Sequence, residues 1–339
     1  MPDARLPLAK SLAAVPRLRE RALNKTPAIV AFATLAILLA VYWSVDSSAL
    51  TSTSITSLVN SGAGLGLAAV GEAVIVLVGG LDLSVGSVLS LLNVLLVTQM
   101  GASVGSQFGT SFEILLVGMV VSGISGLVVV GLDLPPILVT LATLFLWQGV
   151  ALVVMTEPGG TVPSSFTDAF TGSSFAGIPN SLYVLVVVAA IWAFLRRTEY
   201  VRSIYAVGAD PSIANANGVR VKSVTVGAYA LAGFFYGAAA LLLTAVSGSG
   251  DPNLGSSVLI TVFAAVVLGG TTLGGGRGHA AAAIVGAFVV TVIGDILFAL
   301  EVPVFYTGVV NGAILLAAVV VGSLLTGGRT LLRGLRLQT

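Results

Sequence analysis

The lysines and arginines of this chain are confined to a few patches separated by long apolar runs, and that arrangement limits the fold more than any single motif does. Of the fifteen, six lie within the first 25 residues (Arg5, Lys10, Arg17, Arg19, Arg21 and Lys25). Five lie between 196 and 222 (Arg196, Arg197, Arg202, Arg220 and Lys222), three close the chain (Arg329, Arg333 and Arg336), and Arg277 stands alone. Apolar segments of about 20 residues, the length that crosses a bilayer's hydrocarbon core, recur between them. Only 9% of the 339 residues are charged and 56% are hydrophobic, against roughly 25% charged in an ordinary soluble domain. So few polar groups cannot cover a soluble globule of this size. The sequence therefore predicts an all-α integral membrane protein.

Ten spans are expected: 27–45, 56–78, 84–100, 113–131, 136–155, 181–195, 224–246, 257–274, 280–299 and 304–325. Six separate the first basic patch from the second and four separate the second from the third, so even counts put all three patches on one side. Cationic loops are retained in the cytoplasm, which predicts cytoplasmic termini. The expected organisation is a basic tail at 1–26, a transmembrane domain at 27–325 with a cytoplasmic loop at 196–223, and a basic tail at 326–339. Asp46, Glu157, Asp168, Asp251 and Glu301 fall in loops on the opposite side. The apolar run to Val45 is too long for a cleavable signal peptide.

Composition also removes much chemistry. With no cysteine and a single histidine, His279, thiol catalysis, disulfides, a histidine-based triad and a histidine- or cysteine-ligated metal have no material. No catalytic residue and no metal site are expected, and nothing points to nucleic acid. No Gly-x-x-x-x-Gly-Lys-Ser/Thr loop occurs, so any ATP-driven work needs a partner chain. The glycines of the second span, Gly62, Gly64, Gly66 and Gly71, are read as close-packing positions between membrane helices.

Two glycine-rich interruptions stand out. In Gly79-Gly-Leu-Asp-Leu-Ser-Val-Gly-Ser87 the glycines end one span, and Asp82 and Ser84 sit where the next helix begins, able to accept hydrogen bonds from its free amides. This is either a capped tight turn or a broken helix lining a pathway, since irregular backbone is tolerated in a membrane only where protein or a cavity surrounds it. The run Leu268–Gly278 matches it at the leading glycines when Gly269 is placed on Gly79, suggesting an internal repeat or a chance likeness of glycine-rich segments. Thr156–Asn180, with Pro163, Pro179, Phe166, Phe170 and Phe175, reads as an irregular or re-entrant outer flap.

Ionisable groups inside spans are expensive and mark function by default. Glu72 and Asp295 qualify, and with Asp82, Ser84, Asn93, Trp147, Gln148 and Asn311 they form the candidate pathway set. Hydroxyl-binding groups and an indole suit a sugar; interhelical hydrogen bonding is the plainer role for each alone. In the 196–222 loop, Asp210-Pro211 supplies a capping aspartate and a proline at the first helical position, and Gly218 a stop. A short helix there is shaped to dock another protein.

Gly79–Ser87 resembles the signature of permease subunits of ribose-type ABC importers, in the superfamily that also contains branched-chain amino acid permeases. The resemblance continues at Leu134-Pro-Pro-Ile-Leu-Val-Thr-Leu-Ala-Thr143 with Gln148-Gly149, at Ile204-Tyr-Ala-Val-Gly208 and at Ala214-x-x-x-Gly218-Val-x-Val-Lys222. It runs on through Asp251-Pro-Asn-Leu-Gly255, Ala265–Thr271 and Gly274-Gly-Gly-Arg-Gly278, covering about residues 55–320 in order. It implies about ten helices with broken or re-entrant segments and a dimer with a second copy or a paralogue. It further implies a cytoplasmic ATPase dimer that carries the ATP and Mg, with no cofactor on this chain, and an external substrate-binding protein. The coupling loop would then include Tyr205, Gly208, Asp210, Ala214 and Gly218.

The function so implied is import of a monosaccharide or related polyol across the bacterial cytoplasmic membrane, with no covalent chemistry on this chain. Glu72 departs from the uncharged residue usual in the family, which suggests a site tuned to a different substrate. The alternative is a secondary sugar or nucleoside carrier working without an ATPase; the absence of an Asp/Glu/His relay counts against it.

Overall fold

The computed structural model describes residues 30–174, 177–303, 306, 308–317 and 320. The basic tails, Phe175 and the end of the tenth expected span lie outside them. The described chain is helical, with two isolated bridges and no strand: α1 (Val30–Val45), α2 (Ser52–Leu77), α3 (Val85–Gln99), α4 (Val104–Gly131), α5 (Pro136–Val154), α6 (Ser164–Thr171), α7 (Asn180–Leu195), α8 (Glu199–Ala209), α9 (Pro211–Ala216), α10 (Val221–Ser247), α11 (Val258–Leu268), α12 (Ala282–Ala299) and α13 (Gly308–Ala317). A 3-10 turn at Leu254–Ser256 precedes α11.

Each of the ten expected spans is overlapped by a helix, though α2, α4 and α10 begin 4, 9 and 3 residues before theirs. Five helices, α2, α4, α5, α10 and α12, are long and apolar enough to cross a membrane, and the pair α7–α8, bent by 78°, makes a sixth if counted as one span. The all-helical, multi-pass character of the chain follows from these lengths and compositions.

α2 is the axis of the bundle. Its most apolar stretch is 83% buried, against 22% for α5, so α2 faces protein on all sides and α5 keeps an outward face. The small residues on α2 are what make this possible: Gly62 lies against Phe288 of α12, Gly64 against Leu243 of α10 and Gly71 against Tyr236 of α10. The α4–α10 crossing depends on glycine in both helices. A side-chain carbon at Gly118 would strike the Gly233 carbonyl oxygen, and one at Gly233 would strike that of Gly118. Such close backbone approach is how helices associate where lipid offers no hydrophobic drive.

The segment after α5 is not irregular throughout. It contains α6, an amphipathic helix entered at Pro163, with Phe166 and Phe170 one turn apart and their ring centroids at 4.8 Å. The i, i+4 aromatic pair outweighs the surrounding Gly/Pro punctuation. The two glycine-rich breaks share a helix-end conformation one residue out of the expected register: Gly79 (φ +91) corresponds to Gly270 (φ +83), not to Gly269 (φ −67), and Gly80 and Thr271 N–H reach back to the Ile75 and Val266 carbonyls at 2.9 and 3.2 Å. They also meet in space, where Gly276 N–H donates to the Leu77 carbonyl at 3.0 Å.

Candidate functional site

Glu72 sits near the last turn of α2, and its side chain is fully buried. Leaving α2, the chain turns at Gly79 and comes back so that the Asp82 backbone N–H donates to Glu72 Oε1 at 3.2 Å. The Tyr236 hydroxyl donates to Glu72 Oε2 at 2.8 Å. Asp82, also fully buried, accepts through Oδ1 from Ser84 N–H at 2.8 Å and from the Ser84 hydroxyl. Its Oδ2 and the Tyr229 hydroxyl have no partner.

Of the two expected amide acceptors, only Asp82 acts as one. Ser84 occupies the N-cap position of α3 with helical backbone and no side-chain capping bond; Asp82 takes the Ser84 amide, and Ser84 feeds a second proton to the same oxygen. The turn is braced from α5, where the Thr140 hydroxyl donates to the Leu81 carbonyl at 3.2 Å. Glu72, Asp82 and Ser84 thus form one buried polar cluster, and no lysine or arginine occurs anywhere from Thr26 to Leu195. Hydrogen bonds, not counter-ions, hold these carboxyl groups, an expensive arrangement at membrane depth.

Asn93 and Gln148 belong to a different group. Asn93 Nδ2 donates to Thr244 Oγ1 at 2.7 Å, and Asn93 Oδ1 accepts from Asp251 N–H at 2.6 Å. Gln148 Nε2 donates to the Pro252 carbonyl at 2.8 Å, and Gly255 N–H to Ser90 Oγ at 2.9 Å. The 249–255 segment is thereby fixed to α3 and α5. Paired bonds between Gly159 and Gly250, both 2.9 Å, join it to the start of the loop that carries α6.

Trp147 is half-buried, with an indole N–H that lacks an acceptor. Asp295 is half-buried on α12, within electrostatic reach of Tyr42 on α1. Asn311 is buried on α13. The structure does not bring these three into the Glu72 cluster.

The loop after α7 folds as its capping residues require. Asp210 Oδ1 accepts from Ser212 and Ile213 N–H at 2.8 and 3.0 Å, Pro211 opens α9, and Gly218 follows it in left-handed backbone, φ +83. Ala214 faces inward while Ile213 is 62% exposed, so α9 projects as a knob. α8 beneath it is seated by Gly208, where any side chain would collide with the Leu77 carbonyl oxygen and lie 2.6 Å from Gly276 N. Tyr205 donates to the Gly278 carbonyl at 3.1 Å. Burial raises the Tyr205 phenol above its ordinary pKa, with nearby Arg196 opposing, which keeps it a neutral donor.

Sequence reasoning missed Tyr229, Tyr236, Thr140 and Thr244. The two tyrosines lie seven residues apart on one face of α10, a spacing visible in the sequence once a buried carboxyl group needs donors.

The family described as "Branched-chain amino acid transport system / permease component" matches residues 54–319. The ribose import permease protein RbsC of Haemophilus influenzae is 31% identical over 258 residues, 74% of this chain and 79% of its own length. The D-allose transport system permease protein AlsC of Escherichia coli is 30% identical over 298 residues, 87% of this chain and 91% of its own length. The probable ABC transporter permease protein y4mJ of Sinorhizobium fredii is 32% identical over 269 residues, 78% of this chain and 80% of its own length. No solved structure matches the chain.

Proposed function

From the premise that this chain belongs to the permease-component family of branched-chain amino acid transport systems, we propose that it carries a monosaccharide or related polyol inward through an ATP-binding-cassette importer. The observation that carries the substrate class is the likeness to the ribose and allose permeases over 74% and 87% of this chain. The importer class is supported by y4mJ, which is named as an ABC permease.

In this reading the chain makes ten crossings of the bacterial cytoplasmic membrane, with 27–325 as the transmembrane domain and basic cytoplasmic tails on either side. It pairs with a second copy or a paralogue. ATP and Mg are held by a cytoplasmic ATPase dimer that docks on α9 within the 196–223 loop, and this chain does no covalent chemistry. An external binding protein delivers the sugar to the joined 156–162 and 247–256 segments.

Work enters at Asp210, Ala214 and Gly218 and passes through α8 to the end of α2. The contact of Gly208 with Leu77 and the Leu77–Gly276 hydrogen bond support that route. Leu77 is one helical turn beyond Glu72, so a shift of α8 reaches the Glu72–Asp82 cluster directly. Glu72, Asp82, Ser84, Asn93, Trp147, Gln148, Asp295 and Asn311 are the positions to test for the pathway.

The decisive experiment reconstitutes the chain with its ATPase and binding protein in liposomes and follows labelled ribose and allose. ATP-dependent accumulation of either sugar, or of another monosaccharide bound by the partner protein, supports the reading. Uptake driven by an ion gradient without the ATPase would overturn it.

A further inference from the structure

At the elbow between α7 and α8 the surface opens into a cleft of about 480 Å³ whose lining includes Trp192, Arg196, Arg197, Arg202 and His279. Among the described residues, no acidic one lines it. Three guanidinium groups therefore share one concavity without a carboxylate, and each brings donors only.

The neutral groups are donors as well. Arg196 Nη1 donates to His279 Nε2, because a guanidinium has nothing with which to accept. The proton of the neutral imidazole is then on Nδ1, and Nδ1 has no partner. Burial, reinforced by Arg196, lowers the His279 pKa, so the neutral ring is the ordinary state. Trp192 is 0% exposed, and its indole N–H also lacks an acceptor. One guanidinium donor is used locally, Arg202 Nη2 to the Arg197 carbonyl at 3.0 Å. What the cleft lacks is an acceptor carrying negative charge.

We propose that this cleft binds a phosphate group, with Arg196, Arg197 and Arg202 as its charge partners. The arginine fork matches phosphate oxygens. The same chemistry is offered by an acidic phospholipid headgroup and by a soluble phosphate. Basic pockets between membrane helices take lipids with such headgroups. Occupancy would tie the α7–α8 elbow to the 278–281 segment, beside the Tyr205–Gly278 hydrogen bond.

The test uses the full chain with its partner subunits in nanodiscs of phosphatidylcholine, alone or doped with phosphatidylglycerol. Native mass spectrometry reads retained lipid, and thermal unfolding is titrated with inorganic phosphate. The wild-type protein is expected to retain phosphatidylglycerol, or to be stabilised by phosphate in a concentration-dependent way. The first result identifies a lipid site and the second a soluble-phosphate site. R197Q/R202Q should weaken binding by about fivefold per arginine removed. R220Q/K222Q, equally basic but outside the cleft, should bind as wild type. Neither ligand binding, or the control pair losing as much as R197Q/R202Q, would overturn the proposal.

Discussion

Glu72 Oε1 accepts the backbone N–H of Asp82 at 3.2 Å, so the break after α2 closes on a carboxyl group of the helix it has just left. This contact fixes where Asp82 lies, and through Ser84 it fixes where α3 begins. Glu72→Gln keeps an oxygen to accept the Asp82 amide, places an NH2 from which the Tyr236 hydroxyl can accept where Oε2 was, and removes the acid. The variant is expected to assemble normally and to lose uptake by about tenfold, since an ionisable group at this depth is kept for function. Glu72→Leu also strands the Tyr236 hydroxyl and the Asp82 amide, which should destabilise the protein by roughly 2 kcal/mol or more. ATP-driven uptake and thermal unfolding separate the two effects; full uptake by Glu72→Gln would reduce Glu72 to a packing role.

Gly208 and Gly218 flank the same short helix but are constrained differently. At Gly208 a methyl group meets the Leu77 carbonyl oxygen and Gly276 N, so Gly208→Ala must push α8 off the end of α2, at roughly 1–3 kcal/mol. Gly218 faces open space and is limited only by its φ of +83, so Gly218→Ala should cost about 1 kcal/mol of local strain. Gly208→Ala is expected to raise the ATP hydrolysed per sugar imported strongly, whereas Gly218→Ala, strained only locally in the docking loop, should raise it slightly. Equal ratios for the two variants would argue against force passing through Leu77.

Asp210 caps α9 with two amides. Asp210→Ala should cost about 1 kcal/mol of local stability and weaken ATPase docking, while Asp210→Asn, which retains an acceptor, should restore most of it. Co-purification of the ATPase and the uptake-to-hydrolysis ratio read this directly. Unchanged docking in Asp210→Ala would place the docking surface elsewhere.

What the sequence revealed follows the range of the forces involved. The α9 cap was legible because its chemistry is local: aspartate, proline and glycine lie within a few positions of one another. The helical segments were legible because apolar length is a local property too. The partner of Glu72 was not, since Tyr236 is 164 positions away and only packing of α10 on α2 joins them. Pathway candidates chosen by residue type alone therefore mixed the Glu72–Asp82 turn, the Asn93–Gln148 brace, and Trp147, Asp295 and Asn311, which join neither. α6 was overlooked because proline and glycine were weighed above the Phe166–Phe170 spacing. The arginines of the middle patch were read for sidedness, and nothing in their spacing announced that His279, far along the chain, closes a cleft with them.

His279 offers a pH test with a definite sign. Burial, and secondarily Arg196, lower its pKa in the folded chain from the ordinary 6.5; Arg197 and Arg202 also face the cleft, and the Tyr205 hydroxyl nearby stays neutral. In the unfolded chain the ring titrates near 6.5, so above that value neither state is charged and His279 adds no pH dependence. As pH falls below 6.5 the unfolded chain takes up a proton that the folded chain refuses, and stability declines until the lowered folded pKa is passed. His279→Gln should remove that part of the acid sensitivity, so wild-type and variant unfolding curves differ by a constant above about pH 7 and diverge below about pH 6. A phosphate in the cleft places negative charge beside the ring and raises its pKa. The wild-type decline should therefore shrink in phosphatidylglycerol nanodiscs or in phosphate, and remain in phosphatidylcholine alone. A decline that is identical in wild type and His279→Gln would remove His279 as its cause.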